Sequence, residues 1–310
     1  MKILPLLLLA GISAFAQKPS KDTLVRYFDA RLEPCKKKEF VFIGVIIRDP
    51  SGWNGIIYDD STRVLMRGRY LDENCLVKDG WFIYYFPDGR RSLGGKYENN
   101  IRQGTWMRWH SNGQLRDSLQ LGNNLPNGSS ISWFYNGNRE SEGIYRQGKY
   151  EGNWIFYHEN GKVATREKYE DGKLTDLECF DSSGNSLGMN CAIQRNPEIK
   201  GKYGGFLKYL QDSIIYPKEA QQKAITGIVQ MEFMVTKEGL LKDIKILSSP
   251  DPLLTSEVMR VVKSVPGWYP ATWHNRTMDF TFKMNVPFYG EQVPITGSWN
   301  ESWFNDPTEQ

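Results

Sequence analysis

The residue types that most often carry chemistry are few in this chain and widely spaced. The three histidines are His110, His158 and His274, and no Gly-x-Ser-x-Gly, His-Glu-x-x-His or phosphate-binding glycine motif occurs. His110 and His158 are two 24-residue intervals apart. If each interval contributes two strands spaced about 4.8 Å, the two imidazoles lie roughly 19 Å apart, too far for one metal ion. We therefore predict no catalytic residues, no metal site and no cofactor.

The four cysteines are the other reactive groups: Cys35, Cys75, Cys179 and Cys191. No Cys-x-x-Cys pair occurs, so the spacing of zinc sites and redox motifs is missing. In an oxidising compartment three pairings are possible. We expect Cys35 to pair with Cys75 and Cys179 with Cys191, because each pair flanks one end of a repeat region that it could staple. Four reduced, buried thiols are the alternative.

The N-terminus has the features of a secretory signal peptide. Lys2 precedes an apolar run from residue 3 to residue 15, and Ala14-Phe15-Ala16 fits cleavage before Gln17. As a helix of about 21 Å, this run is shorter than a hydrocarbon core of about 30 Å. We expect an exported, soluble protein that has lost residues 1–16. The 39 basic and 36 acidic residues nearly balance, which gives no electrostatic basis for nucleic-acid binding.

Glycines recur every twenty-four residues through the middle of the chain, at Gly80, Gly104, Gly128 and Gly152. A second series keeps the same interval and closes an Asp-Gly or Asn-Gly turn pair, at Gly89, Gly113, Gly137 and Gly161. An aromatic strand lies between the two glycines of each unit, so each unit is predicted to be one β-hairpin. Hairpins repeated at this interval must stack to bury their apolar faces.

Alternate residues of the repeated strands lie on opposite faces of the sheet. We predict that the core face is the register of Ile83, Met107, Ile131 and Ile155, together with the aromatic residues two positions later, Tyr85, Trp109, Trp133 and Tyr157. The other face contains Phe82, Trp106 and Trp154. We expect that face to be either covered or used as a binding stripe.

The pattern Gly-x-Trp-x-x-Tyr-x-x-Asn-Gly, complete from Gly152 to Gly161, resembles the MORN-repeat variant that is also found in the YwqK family of proposed antitoxins. Degenerate terminal units extend the repeats over residues 55–190, after an N-terminal cap segment at residues 17–54. The resemblance leaves two functions open. One is an antitoxin or immunity protein that binds a toxin along the array. The other is a cell-wall-binding module that stacks glycans on Trp106, Trp154 and Phe82.

The sequence pattern changes at residues 200–290. It predicts a small α+β domain with the order helix, two strands, helix, strand. These residues resemble the C-terminal domain of the TonB family of energy transducers, on the positions Tyr216, Pro217, Gly227, Gly239, Trp268 and Pro270. The resemblance implies a Gram-negative periplasmic domain that binds N-terminal peptides of TonB-dependent outer-membrane receptors. In that family the peptide adds a strand to a sheet edge, and binding is linked to energy-dependent transmembrane transport.

The edge strand expected here contains Met278, Phe280, Phe282, Met284 and Val286. Alternatively, this strand is part of the core or pairs with a second copy in a homodimer. The tail, residues 291–310, contains Trp299, Trp303 and Phe304 and is either a docking strip or an unstructured end. The chain shows no proline-rich spacer, so we hypothesise a relative that binds envelope proteins without transmitting force.

The sequence therefore predicts an all-β repeat array of stacked β-hairpins followed by a small α+β domain. Its expected partners are proteins of the envelope, with no nucleic acid and no small-molecule cofactor.

Overall fold

The computed structural model describes residues 22–289 and 294–299. The predicted signal peptide lies outside these residues, as do Trp303 and Phe304 of the tail. The chain divides into two compact units between Leu177 and Glu178. Within the described residues, none of the helices combines the length and the apolar character that crossing a membrane would need.

Fourteen strands form one antiparallel sheet in which each strand is hydrogen-bonded to its neighbours in the chain, as the hairpin prediction required. The strands are β1 (Thr23–Phe28), β2 (Phe42–Asp49), β3 (Gly52–Tyr58), β4 (Val64–Tyr70), β5 (Lys78–Tyr85), β6 (Arg91–Glu98), β7 (Ile101–Trp109), β8 (Leu115–Gly122), β9 (Leu125–Trp133), β10 (Arg139–Arg146), β11 (Lys149–Tyr157), β12 (Val163–Glu170), β13 (Lys173–Phe180) and β14 (Ser186–Gly188). Strands β1 and β2 lie inside the segment that we expected to cap the repeats.

Two kinds of turn alternate along the repeats. In the longer kind the glycine N–H bonds back to a carbonyl three residues earlier, as Gly89 does to Phe86 at 2.9 Å, and the glycine has a positive φ that favours it over other residues. The shorter kind has two central residues that both have positive φ, the signature of type I′ hairpin turns. These pairs are Asn99-Asn100, Asn123-Asn124, Gln147-Gly148 and Asp171-Gly172.

The buried face of the array is the one that contains Phe82, Trp106 and Trp154, whose exposed fractions are 0%, 4% and 1%. The prediction of the core face was therefore wrong, since Ile83 and its equivalents are half-buried on the opposite face. The physical reason lies in the return strands. A Cβ atom at Gly95 would lie 2.2 Å from the Trp106 ring, so glycine makes the space that the ring fills.

The buried rings contact one another across the strands. Edge-to-face contacts join Tyr70 to Phe82 at 5.2 Å, Phe82 to Tyr97 at 5.0 Å and Tyr97 to Trp106 at 5.0 Å between ring centroids. Such pairs contribute roughly 0.5–1.5 kcal/mol beyond the apolar area that they bury. Where the series lacks a ring, at Ser130, the directly opposite residue is the buried Leu119.

One of the two expected disulfide bridges is present and the other is not. Cys179 and Cys191 form a disulfide with a Cα–Cα distance of 6.2 Å, whereas Cys35 and Cys75 are free thiols. Cys75 lies in the apolar cluster around Phe28 and Tyr70, and burial raises the pKa of its thiol to about 12. It therefore behaves as a small apolar core residue, and the predicted Cys35–Cys75 staple is absent.

The second unit is an α+β arrangement with its own apolar core. Its helices are α1 (Phe206–Ser213), α2 (Lys218–Gln222) and α3 (Pro252–Lys263). Its strands are β15 (Gln194–Arg195), β16 (Glu198–Ile199), β17 (Gly227–Val235), β18 (Leu241–Ser248), β19 (Trp268–Tyr269), β20 (Ala271–Trp273), β21 (Arg276–Met278), β22 (Phe280–Phe288) and β23 (Thr296–Trp299). The main sheet has the order β18-β17-β22-β23, beside small sheets β15-β20-β21 and β16-β19.

Helix α3 begins at Pro252, and the side chain of Asp251 caps it by accepting a hydrogen bond from the Leu253 N–H at 2.8 Å. Its apolar stripe is buried in the same core cluster as the inward side chains of β17 and β22. This stripe consists of Leu254, Val258, Val261 and Val262.

Candidate partner-binding site

Strand β22, the strand that we predicted to be a free edge, has a neighbour on each side. It pairs with β17 through nine residues, from Gly227 opposite Phe288 to Val235 opposite Phe280. On its other side, residues 282–285 pair with the four residues of β23. The predicted edge position was therefore wrong, because a short antiparallel strand from the tail occupies the hydrogen-bonding groups of β22 there.

The side chains expected at the edge face the interior. Phe280, Phe282, Met284 and Val286 are at most 3% exposed and belong to the buried core of this unit. Met278 is not part of β22; it ends β21, where it lies opposite Ala271. A partner that reached β22 would therefore meet its backbone rather than these side chains, and their role in binding stays a prediction.

Strand β23 is held mainly by one side chain. Thr296, Gly297 and Ser298 are exposed, while the ring of Trp299 lies 4.5 Å from the ring of Phe282 and 5.9 Å from that of Trp268. A Cβ atom at Gly297 would lie 2.3 Å from the Phe282 ring, so glycine allows β23 to approach β22 closely.

The outer edges of this sheet are β18 and β23. Strand β18 carries Lys242 and Lys245, and its register to β17 is interrupted near Asp243, which has a φ of +50°. Charged lysines and irregular backbone are features that discourage pairing with another chain. The β23 side is consequently the better place for an added strand.

The open face of the sheet between these edges is polar. Glu232 of β17 lies 3.2 Å from the ammonium group of Lys283 and 3.8 Å from that of Lys245. A shallow groove of about 450 Å³ runs beside them, over β22 and β23. A peptide strand in place of β23 would set every second side chain beside the exposed Lys283 and Asn285, where Ser298 and Thr296 lie in this structure.

The residues that carried the TonB resemblance hold the frame of this sheet. Gly239 forms the β17–β18 turn with a φ of +78°, and a Cβ atom there would lie 2.5 Å from the carbonyl oxygen of Trp268. The Trp268 ring packs 4.8 Å from Phe206, and Pro270 flanks the same glycine. These positions are structural, since close packing rather than partner contact explains each of them.

Tyr216, Pro217 and Gly227 hold the other end of the sheet. The Tyr216 hydroxyl donates to the carbonyl of Ile225, and its ring lies 5.4 Å from that of Phe288. Pro217 precedes α2 as its cap residue. Gly227 has a φ of +137°, and a Cβ atom there would lie 2.6 Å from Pro250.

An ion pair within α3 is hydrogen-bonded to the segment that follows α1. Glu257 accepts hydrogen bonds from the Arg260 guanidinium at 2.8 Å and 2.7 Å and from the Ile215 N–H at 2.7 Å. The hydrogen bonds from Arg260, with a smaller contribution from Ile215, hold the pKa of the Glu257 carboxyl below its ordinary value. The Glu257 carboxylate is therefore charged at neutral pH and keeps these hydrogen bonds.

Nothing in the described part of the chain brings three or more His, Cys, Asp or Glu side chains into a metal-binding group. His110, which follows β7, instead has its Nε2 atom 2.8 Å from the carbonyl oxygen of Trp133.

Sequence reasoning missed β23. The available signal was the apolar Ile295 followed by a four-residue segment that ends in Trp299, a pattern too short to be distinguished from a loop.

Residues 212–289 match the family model described as the Gram-negative bacterial TonB protein C-terminal. The match covers α2, α3 and strands β17 to β22, and it ends before β23. It indicates a TonB-like envelope protein. A comparison of the chain with curated proteins finds no match.

Proposed function

We propose that this protein binds an extended segment of an envelope partner by β-strand addition to β22, in place of β23. The partner segments we propose are the N-terminal peptides of TonB-dependent outer-membrane receptors, which links the protein to energy-dependent transport across that membrane. The MORN-like array is the scaffold of the binding unit. The protein acts after export to the periplasm, as a non-enzymatic relative of the energy transducers.

The observation that supports this proposal is the unequal pairing of β22. Nine residue pairs join it to β17, but only four join it to β23, whose first three residues are exposed. An incoming peptide that pairs along most of β22 would form more backbone hydrogen bonds than β23 does, while the buried side chains of β22 stay in place. Exchange of β23 for a longer strand is therefore favourable.

The cell-wall alternative loses the residues on which it was based. Phe82, Trp106 and Trp154 are buried in the array and present no ring face to a glycan. The antitoxin alternative has no specific contact or charge pattern in its favour. Strand addition is the function for which this chain has a matching family model and a suitable sheet.

The test compares the chain with a form that ends at residue 293 and so lacks β23. Affinity for synthetic receptor N-terminal peptides is measured by fluorescence anisotropy. We expect the shortened chain to bind about tenfold more tightly, equivalent to about 1.4 kcal/mol, because no tail strand has to be displaced. Trp299→Ala, which keeps the β23 backbone but removes its anchor, should give a smaller gain in the same direction.

The control is the same peptide methylated at alternate backbone nitrogens, which keeps its side chains and removes hydrogen-bond donors. This peptide should bind weakly to both forms of the protein. Equal affinity of the methylated and unmethylated peptides, or a loss of binding on removing β23, would show that partners do not add to the exposed edge of β22.

A further inference from the structure

One tryptophan of the array is largely exposed to solvent. Trp81 of β5 is 56% exposed, whereas the other tryptophans among residues 22–289 and 294–299 are buried or half-buried. Its ring makes no aromatic or cation–π contact within the part of the chain that the structure describes. A large apolar ring left in water on a regular strand offers a contact surface that the fold does not use.

Comparison with the other repeats shows that the fold does not require this ring. The positions equivalent to Trp81, at intervals of twenty-four residues, are Thr105, Ser129 and Asn153. The core aromatic of the same unit is the next residue, Phe82, which is fully buried. The first full unit therefore carries one aromatic residue for the core and a second one on the solvent face.

Trp81 stands in a groove of about 520 Å³ across β3 to β6. In the strand register Trp81 lies opposite Lys96, and Asn54 lies opposite Arg69. These four residues form one side of the groove. In the neighbouring row Arg67 lies opposite Ile56 and Ile83. Directly opposed side chains are about 5 Å apart, so Lys96 lies beside Trp81, while Arg67 and Arg69 line the same groove from β4. The volume falls in the range of small-molecule sites, roughly 300–1,000 Å³.

The charges of the groove are incompletely balanced. The Arg69 guanidinium lies 2.6 Å from the Asp79 carboxylate, and the Lys96 ammonium lies 2.7 Å from the Glu98 carboxylate. Arg67 is exposed and has no hydrogen-bond or ion-pair partner among the described residues. The groove thus combines an aromatic platform with one uncompensated guanidinium, whose planar fork suits a carboxylate.

We propose that this groove binds a saccharide that carries a carboxylate group, of the kind found in muramic-acid-containing cell-wall fragments. The apolar face of a sugar ring would stack on Trp81, Arg67 would bind the carboxylate, and Asn54 and Lys96 would hydrogen-bond to hydroxyl or amide groups. An added peptide strand is excluded here, because β3 to β6 each have hydrogen-bonded neighbours on both sides. The site is independent of the strand exchange proposed for β22.

The test is calorimetric titration of the full chain with the disaccharide N-acetylglucosaminyl-N-acetylmuramic acid. Di-N-acetylchitobiose, which has similar rings and no carboxylate, is the comparison ligand. We expect Trp81→Thr, which installs the residue type of the next repeat, to weaken binding of both ligands about tenfold or more. Arg67→Gln should weaken only the binding of the acidic disaccharide, which a purely structural role of Arg67 would not do.

Two control variants make the outcome specific. Tyr135→Ala removes a ring that is 57% exposed on a turn of the same array and should leave both affinities unchanged. Thr105→Trp places an exposed ring at the equivalent repeat position, without a counterpart of Arg67, and should create no acidic-saccharide site. The proposal is overturned if the unaltered chain binds neither ligand at millimolar concentration, or if Trp81→Thr binds as the unaltered chain does.

Discussion

Two buried tyrosines of the array differ in whether the hydroxyl group forms a hydrogen bond. The hydroxyl of Tyr70, a residue with no exposed surface, has no hydrogen-bond partner among the described residues. The hydroxyl of Tyr169 donates to the buried carboxylate of Glu167 at 2.5 Å, and Thr165 donates to the same carboxylate at 2.6 Å. Burial raises the pKa of both phenols, so each is neutral and able to donate at physiological pH.

The two positions should respond in opposite ways to loss of the hydroxyl. Tyr70→Phe removes a buried group that forms no hydrogen bond, and we expect unfolding free energy to stay the same or rise by up to about 1 kcal/mol. Tyr169→Phe removes a donor to a buried carboxylate and should cost about 1–3 kcal/mol. Urea denaturation followed by circular dichroism measures both. Equal destabilisation by the two substitutions would mean that the Tyr70 hydroxyl is in fact paired.

At the scale of strands, the array depends on fitting an aromatic ring on one strand to a glycine on the next. The ring of Trp106 occupies the space beside Gly95, and the ring of Trp154 occupies that beside Gly143, where a Cβ atom would lie 2.1 Å away. Neither glycine has a positive φ, so the requirement for glycine is steric rather than conformational. These contacts determine which face of the sheet is buried.

Gly94 and Gly95 are adjacent, so replacing each of them by alanine tests this steric requirement with a matched control. Gly95→Ala forces a methyl group into the Trp106 ring and should destabilise the array by about 1–3 kcal/mol. Gly94→Ala places its methyl group on the other face, in ordinary contact at 3.5 Å, and should change stability by no more than about 0.5 kcal/mol. Thermal unfolding compares the two, and similar midpoints would contradict the proposed role of Gly95.

The same contacts explain what the sequence could and could not predict. The hairpins were predictable because Gly89 and its equivalents follow Asp or Asn in turn pairs. The buried face could not be predicted in the same way. Phe82 and Ile83 lie on opposite faces of β5, and both faces carry apolar residues, so only the small residues of the return strands show which face is buried. Strand β23 was missed for a different reason: four residues that include Gly297 and Ser298 carry no strand periodicity, and they are ordered by pairing with β22 and by packing of the Trp299 ring.

At the scale of the molecule, each unit has an apolar core of its own. One cluster of the second unit includes Phe233, Trp268 and Phe282, and the array has separate clusters around Phe82 and around Trp154. Stability is therefore expected to be set separately in the two units.

Substitution of one core residue should affect one unit. Phe233 contacts the rings of Phe206 and Phe282 at 5.5 Å, so Phe233→Ala should destabilise the second unit by about 3–5 kcal/mol. Amide hydrogen exchange, read by mass spectrometry on the full chain, should then accelerate in β17 and β22 and stay unchanged in β5 to β12. Phe82→Ala should give the reverse pattern. Acceleration throughout the chain after either change would show that the two cores unfold together.

The longer and shorter kinds of turn alternate regularly, which makes the number of strands in the array adjustable. Each interval adds two strands, or about 9.6 Å of sheet width at a spacing of about 4.8 Å. Copying or deleting one interval would change that width by a fixed increment and leave the register of every remaining hairpin intact. Duplication within the gene could therefore lengthen the scaffold in whole steps, without a new core having to evolve.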